Sequence, residues 1–146
     1  MAAGDLVVFN EAKQNIGNGL IDLSSTADFK CMLITTLPTA AAATPDSADF
    51  TEVTGTNYTA GGEALTVSWN EATGTVTFDS SVNPSWTQHA SGPTNIKGAL
   101  VYSTTAVGED ALCFIDMTAD GGTTAISLVD GDISITFNAS GLFTLA

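Results

Sequence analysis

Leu65-Thr66-Val67-Ser68-Trp69-Asn70-Glu71-Ala72-Thr73-Gly74-Thr75-Val76-Thr77-Phe78 decides the fold class. Leu65, Val67 and Trp69 fall on one side of an extended chain and Thr66 and Ser68 on the other, the period of two that marks a half-buried strand. Alternation resumes at Thr75-Val76-Thr77-Phe78, so the intervening Asn70–Gly74 reads as a hairpin loop, with Gly74 suited to positive φ. Trp69, in phase with Leu65 and Val67, is assigned to the core.

Outward from this hairpin the chain reads as more strand. Phe29 to Thr36 contains the nearly continuous apolar run Cys31-Met32-Leu33-Ile34, a pattern for a strand covered on both faces. Ala99–Tyr102 and Ala111–Ile115 read as neighbouring central strands joined by a loop at Gly108. Ile126 and Leu128 lead into Asp130-Gly131-Asp132 and the pattern continues at Ile133, Ile135 and Phe137, a second hairpin signature. Asn83-Pro84 and Gly92-Pro93 interrupt the pattern. Trp86, just after the first break, is either a core plug or a surface anchor.

Helix is scarce. Asn10 reads as the cap of a short helix through Asn15, ended by Gly17 and Gly19. Pro38 and Pro45 bracket an alanine-rich loop, Thr44 reads as the cap of one helical turn, and Phe50 is expected to turn inward. These elements predict a mainly β chain: an antiparallel β-sandwich or jelly-roll-like barrel with a short N-terminal helix and arm. One domain is expected over residues 1–146, with 1–27 as the arm and helix.

The 146 residues carry 16 Asp plus Glu against three cations, Lys13, Lys30 and Lys97, for a net charge of −13. With 44% apolar residues the chain is too hydrophobic for disorder, so the acid belongs on the surface. Three scattered lysines make no phosphate-binding patch, which argues against nucleic acid as a partner. Met1–Phe9 shows neither the basic start of a signal peptide nor a run long enough for a membrane anchor, so synthesis in a cytoplasm and no membrane partner are expected. Asn57-Tyr58-Thr59 and Asn138-Ala139-Ser140 match the glycosylation pattern but read as ordinary strand and turn residues.

Catalytic candidates are few. His89 stands alone, no G-x-S-x-G is present, and Cys31 and Cys113 lie in the apolar runs CMLI and ALCFI, where free thiols behave as small hydrophobes. No enzymatic role and no cofactor are expected. Asp116, Asp120, Asp130 and Asp132 crowd the C-terminal third, and carboxylates at loop tips can ligate calcium. Their spacing does not fit an EF-hand, so Asp120-Gly121-Gly122 and Asp130-Gly131-Asp132 read as tight turns and no metal is assigned. Trp69, Trp86, Tyr58 and Tyr102 offer a sugar-binding platform as an alternative to core packing.

From residue 49 onward the order of landmarks is DFTEVTGTNYTAGGEAL, a hairpin, FDSSVNPSWT, IKGALVYST, ALCFIDM and ISITFNASGLFTLA. This resembles a group of small structural proteins encoded by tailed bacteriophages. The resemblance implies that Tyr58, Gly61, Gly62, Trp86 and Phe143 hold shared structural positions and that none is catalytic. It further implies a virion component, foremost a capsid decoration or cement protein on the outer face of a head. The expected partner is the major capsid (coat) protein, and the expected state is a homo-oligomer, dimer or trimer. The alternative it leaves is a receptor- or carbohydrate-binding module of a tail fibre or baseplate. For the coat contact the assigned residues are Leu6, Val7, Val8 and Phe9, whose apolar side chains have no obvious place in the sheet unless they add a strand to it, together with Trp86. As an arm, everything before Asn10 should be removable without loss of the fold.

Overall fold

In the computed structural model, residues 1–24, 28–42 and 45–145 are described. The elements run β1 (Leu6–Val8), α1 (Asn10–Gly17), β2 (Phe29–Ile34), β3 (Glu63–Leu65), β4 (Val67–Ala72), β5 (Thr75–Ser80), β6 (Ser85–Trp86), β7 (Gly98–Ser103), β8 (Ala111–Asp116), β9 (Ile133–Ser134) and β10 (Phe143–Leu145). Five strands form one sheet in the order β1-β8-β7-β2-β3, three form a second in the order β10-β5-β4, and β6 pairs with β9. Every pairing is antiparallel. The sheets are not closed, so the arrangement is sandwich-like and not a barrel.

The apolar runs sit where continuous burial demands. All six residues of β7 and all six of β8 are buried, as are five of the six in β2, which makes this trio the centre of the larger sheet. One face of it meets the smaller sheet through Phe29 and Phe78, whose rings pack edge-on at 5.3 Å. Phe78 also lies 5.3 Å from Phe143 and 6.4 Å from Trp69, so the predicted core side of the hairpin is the buried one. The other face carries Phe114, against which Phe9 packs at 5.2 Å, with Phe50 on its far side at 5.8 Å.

The hairpin is tighter than its sequence suggests. Strand pairing continues to Ala72 opposite Thr75, so Asn70 and Glu71 belong to the strand and only Thr73 and Gly74 turn. Both have positive φ, 53° and 85°, the twist that a two-residue turn between right-twisted strands requires. Upstream, the alternating run 65–69 is split at Thr66: Leu65 pairs with Phe29 in one sheet and Val67 with Ser80 in the other.

The expected hairpin over 126–137 does not form. Ile126 bridges Ile96, Leu128 donates its N–H to Pro93 and accepts from His89, and Ile133 pairs with Trp86. Each arm satisfies its backbone with a distant partner, so the Asp130–Asp132 turn joins two segments that never pair. The helix is present, extending to Gly17, with Phe9 and not Asn10 as its N-cap and no side chain capping it. A 3-10 turn at Ser47–Asp49 is closed by a reciprocal Asp46–Asp49 capping box, whereas the Thr44 cap lies outside the described residues.

The N-terminal residues correct a larger expectation. Leu6–Val8 is not a free arm but the first strand of the main sheet, paired Leu6 to Ile115, Val7 to Phe114 and Val8 to Cys113. Phe9 is fully buried.

Cys31 and Cys113 are both buried and free. Val101 pairs with Cys31 on one side and Cys113 on the other, which separates the cysteines by two strand spacings, about 10 Å, beyond the ~7 Å a disulfide spans. Burial pushes the Cys31 thiol up to about 12, and burial followed by proximity to Cys31 pushes Cys113 up as well. Since the thiolate is the reactive form, neither should react with an aromatic disulfide reagent at pH 8 while the protein is folded. Both should titrate at once in denaturant, and a fast native-state reaction would contradict this.

Candidate functional site

The residues of the Y-x-x-G-G stretch, Tyr58–Gly62, are tied to structure. Tyr58 donates its hydroxyl proton to Glu52 Oε1 at 2.6 Å and accepts from the Leu33 N–H at 3.0 Å. The Gly61 N–H donates to the same Glu52 oxygen at 2.6 Å, and Tyr102 donates to the Gly61 carbonyl at 2.9 Å. Burial raises the Tyr58 pKa, and the hydrogen bond to Glu52 raises it further. Two hydroxyls thus fasten the connection before β3 onto β2 and β7.

Trp86 is 3% exposed and pairs with Ile133, so it is a core plug. Its ring lies 6.1 Å from that of Tyr58 beneath a shallow concavity, and its indole Nε1 has no hydrogen-bond partner among the described residues. His89 accepts from the Ser91 N–H through Nδ1 at 3.0 Å, a turn contact. The potential glycosylation residues are turn formers: Asn57 has φ 62° and donates to the Thr87 carbonyl, and Asn138 accepts from the Ser140 N–H.

The four aspartates of the C-terminal third do not converge. Asp116, fully buried, accepts through Oδ1 from the Thr118 N–H and hydroxyl, and Thr118 in turn accepts from the Gly122 N–H, so this carboxylate anchors a loop. Asp120 accepts from the N–H groups of Thr123 and Thr124, and hydrogen bonds from Thr124 hold its carboxyl below the usual range. Asp132 accepts from the Gln88 N–H. Among the described residues no group of three His, Cys, Asp or Glu is arranged to hold a metal.

Folding does bring together acids that are far apart in sequence. Asp46 and Asp110 face each other in an isolated bridge beside Glu11 and Asn15, around a cavity of about 210 Å³. Burial raises the Asp110 pKa above its ordinary 3.8, and the Asp46 carboxyl raises it further, against an opposing hydrogen bond from Asn15. A carboxyl whose pKa is raised by folding holds its proton more tightly when folded. Its stabilising share is therefore complete below pH 3.8 and is lost as pH rises through the folded-state value. Asp110→Asn should accordingly raise the melting temperature at pH 7, with the gain shrinking as the pH is lowered towards 3. A gain that is constant with pH would exclude the carboxyl pair as its origin.

The assigned contact residues Leu6, Val7 and Val8 lie at a sheet edge, half-buried, whereas Phe9 and Trp86 are interior. Beside that edge is a larger cavity of about 540 Å³. Its lining combines apolar Leu6, Ile115 and Met117 with a second wall of Ile135, Phe137 and Leu142, together with polar Asp116, Ser134, Thr136 and Asn138. The second wall was invisible in sequence, where Ile133, Ile135 and Phe137 read as one arm of a hairpin.

No helix among the described residues is long and apolar enough to cross a membrane. In comparison with known proteins, the chain matches no family model, no curated protein and no solved structure.

Proposed function

We propose that this protein is a non-enzymatic structural protein of a tailed-phage virion, a decoration or cement subunit seated on the outside of the head and bridging coat subunits. The observation that carries this reading is the strand edge at β1, which borders a cavity of mixed apolar and polar lining on a domain whose surface is strongly acidic. A strand edge offers backbone donors and acceptors at fixed spacing to another chain. A standard contact of ~800 Å² per partner becomes effective when symmetry repeats it over a shell. Strong negative charge suits the outer surface, away from packaged DNA.

The groups that suggested chemistry occupy structural roles: both thiols are interior and His89 serves a turn. The sugar-binding alternative asks for an exposed aromatic face, and Trp86 is 3% exposed. Gold-labelled antibody against this protein, applied to purified particles of the encoding phage, should decorate heads in electron micrographs. Label confined to tails would replace cementing with a role in adhesion or tail assembly.

A further inference from the structure

We propose that the free edge of β1 and the cavity beside it receive an extended, basic segment of the coat subunit as a sixth strand of the main sheet. The proposal rests on the decoration reading for the identity of the partner, but its geometry is independent of it. The Gly4 N–H donates to the Asp116 carbonyl, the Asp116 N–H to the Asp5 carbonyl, and the Phe9 N–H to the Leu112 carbonyl. Antiparallel alternation therefore turns the Asp5 carbonyl, the peptide groups of Val7 and the Phe9 N–H towards β8 and the peptide groups of Leu6 and Val8 outward. No described residue hydrogen-bonds to the Leu6 or Val8 N–H from outside.

The open window has defined ends. A turn in which the Asp5 N–H donates to the Ala2 carbonyl closes one, and the Asn10 N–H, donating to Ala40, closes the other. An incoming strand of about five residues fills that span. Its residue beside Leu6 would point to the face that Leu6 shares with Ile115, into the cavity. The facing wall is held from behind, with the Ile135 N–H on the Pro84 carbonyl and the Phe137 N–H on Asn83 Oδ1. Residues one step along would point to the opposite face, next to Asp5.

Charge selects the occupant. Neither lysine nor arginine lines the cavity, and Asp5 flanks the edge. A second copy of this chain would bring another −13 to the contact, whereas a segment alternating apolar and basic residues matches both faces.

The test uses the full chain, isotope-labelled, with the synthetic peptide acetyl-KVKVKVK-amide and its glutamate counterpart acetyl-EVEVEVE-amide. Amide hydrogen exchange at Leu6 and Val8 should slow at least fivefold with the lysine peptide and remain unchanged with the glutamate peptide. Leu6→Pro removes one outward N–H, and Ser134→Trp obstructs the cavity without touching the edge. Each, once shown to be folded by circular dichroism, should weaken lysine-peptide binding at least tenfold. Equal protection by both peptides, or unchanged binding by both folded variants, overturns the proposal.

Heads stripped of the protein separate the two readings. Wild-type binding with loss in the variants supports the coat segment as occupant. If folded variants bind as well as wild type, the edge proposal falls and decoration stands. If wild type does not bind heads although the lysine peptide protects Leu6 and Val8, decoration falls and the coat is excluded as the partner.

Discussion

Removing residues 1–9 is expected to cost the protein its fold, not merely its partner. The deletion takes away β1 and with it Phe9, which is fully buried against Phe50 and Phe114. Loss of one such phenylalanine typically costs about 3–5 kcal/mol, and whole domains are stable by only about 5–15 kcal/mol. The damage extends to β8. All six of its residues are buried, and without β1 it becomes an open, apolar edge of the kind that recruits other chains. The truncated protein should aggregate on size-exclusion chromatography or melt at least ~10 °C below the intact chain. A monomeric truncation with an unchanged melting temperature would show that β1 is dispensable to the sheet.

Gly62→Ala should be the most damaging single change of one methyl group. An added Cβ would stand 2.0 Å from the Cys31 carbonyl oxygen and 2.6 Å from the Met32 Cα, both backbone atoms of a strand held on two sides. The residue also has φ +73°, which costs an alanine about 1–2 kcal/mol before any clash. Overpacking in a well-filled region adds about 1–3 kcal/mol, so a loss of about 4 kcal/mol is expected from urea unfolding. Gly74→Ala separates the causes. Its φ is +85° with nothing within 4 Å of an added Cβ, so it should show the conformational part alone, about 1 kcal/mol. Equal losses at the two positions would mean that β2 yields to the methyl group.

The three central strands were legible because burial on both faces demands an apolar residue at every position, and CMLI, ALVY and ALCFI supply it locally. The 65–78 hairpin was legible for a related reason, since alternation selects strand and Gly74 marks the turn, although the two-residue turn at Thr73–Gly74 was decided by the pairing that runs to Ala72 and Thr75. The Asp130–Asp132 segment carried equally good hairpin signals and misled. Its flanks could pair with each other or with Ile96 and Trp86, and local sequence does not rank those options. Likewise the pattern 65–69 could not reveal that Thr66 carries the chain from one sheet to the other, since side-chain alternation is unbroken across the crossing.

The candidate site followed the same division. Leu6–Phe9 stood out as apolar residues in search of a place, yet three strand residues are too few to show a period. Their membership of the main sheet rests on pairing with β8, more than a hundred residues away. The cavity wall at 134–142 and the Asp46–Asp110 pair have no signal in sequence, because each depends on which distant segments lie side by side. What the chain determined by itself is the β character, the burial of both thiols, the Trp69 segment as strand, and the acidity of the surface. Those follow from side-chain chemistry and its period along one segment. That Trp86 is a core residue on a strand was decided by its pairing with Ile133. Strand partners, the open edge and the cavity were decided only in the tertiary structure, where backbone hydrogen bonds and apolar burial are satisfied between segments that the sequence leaves far apart.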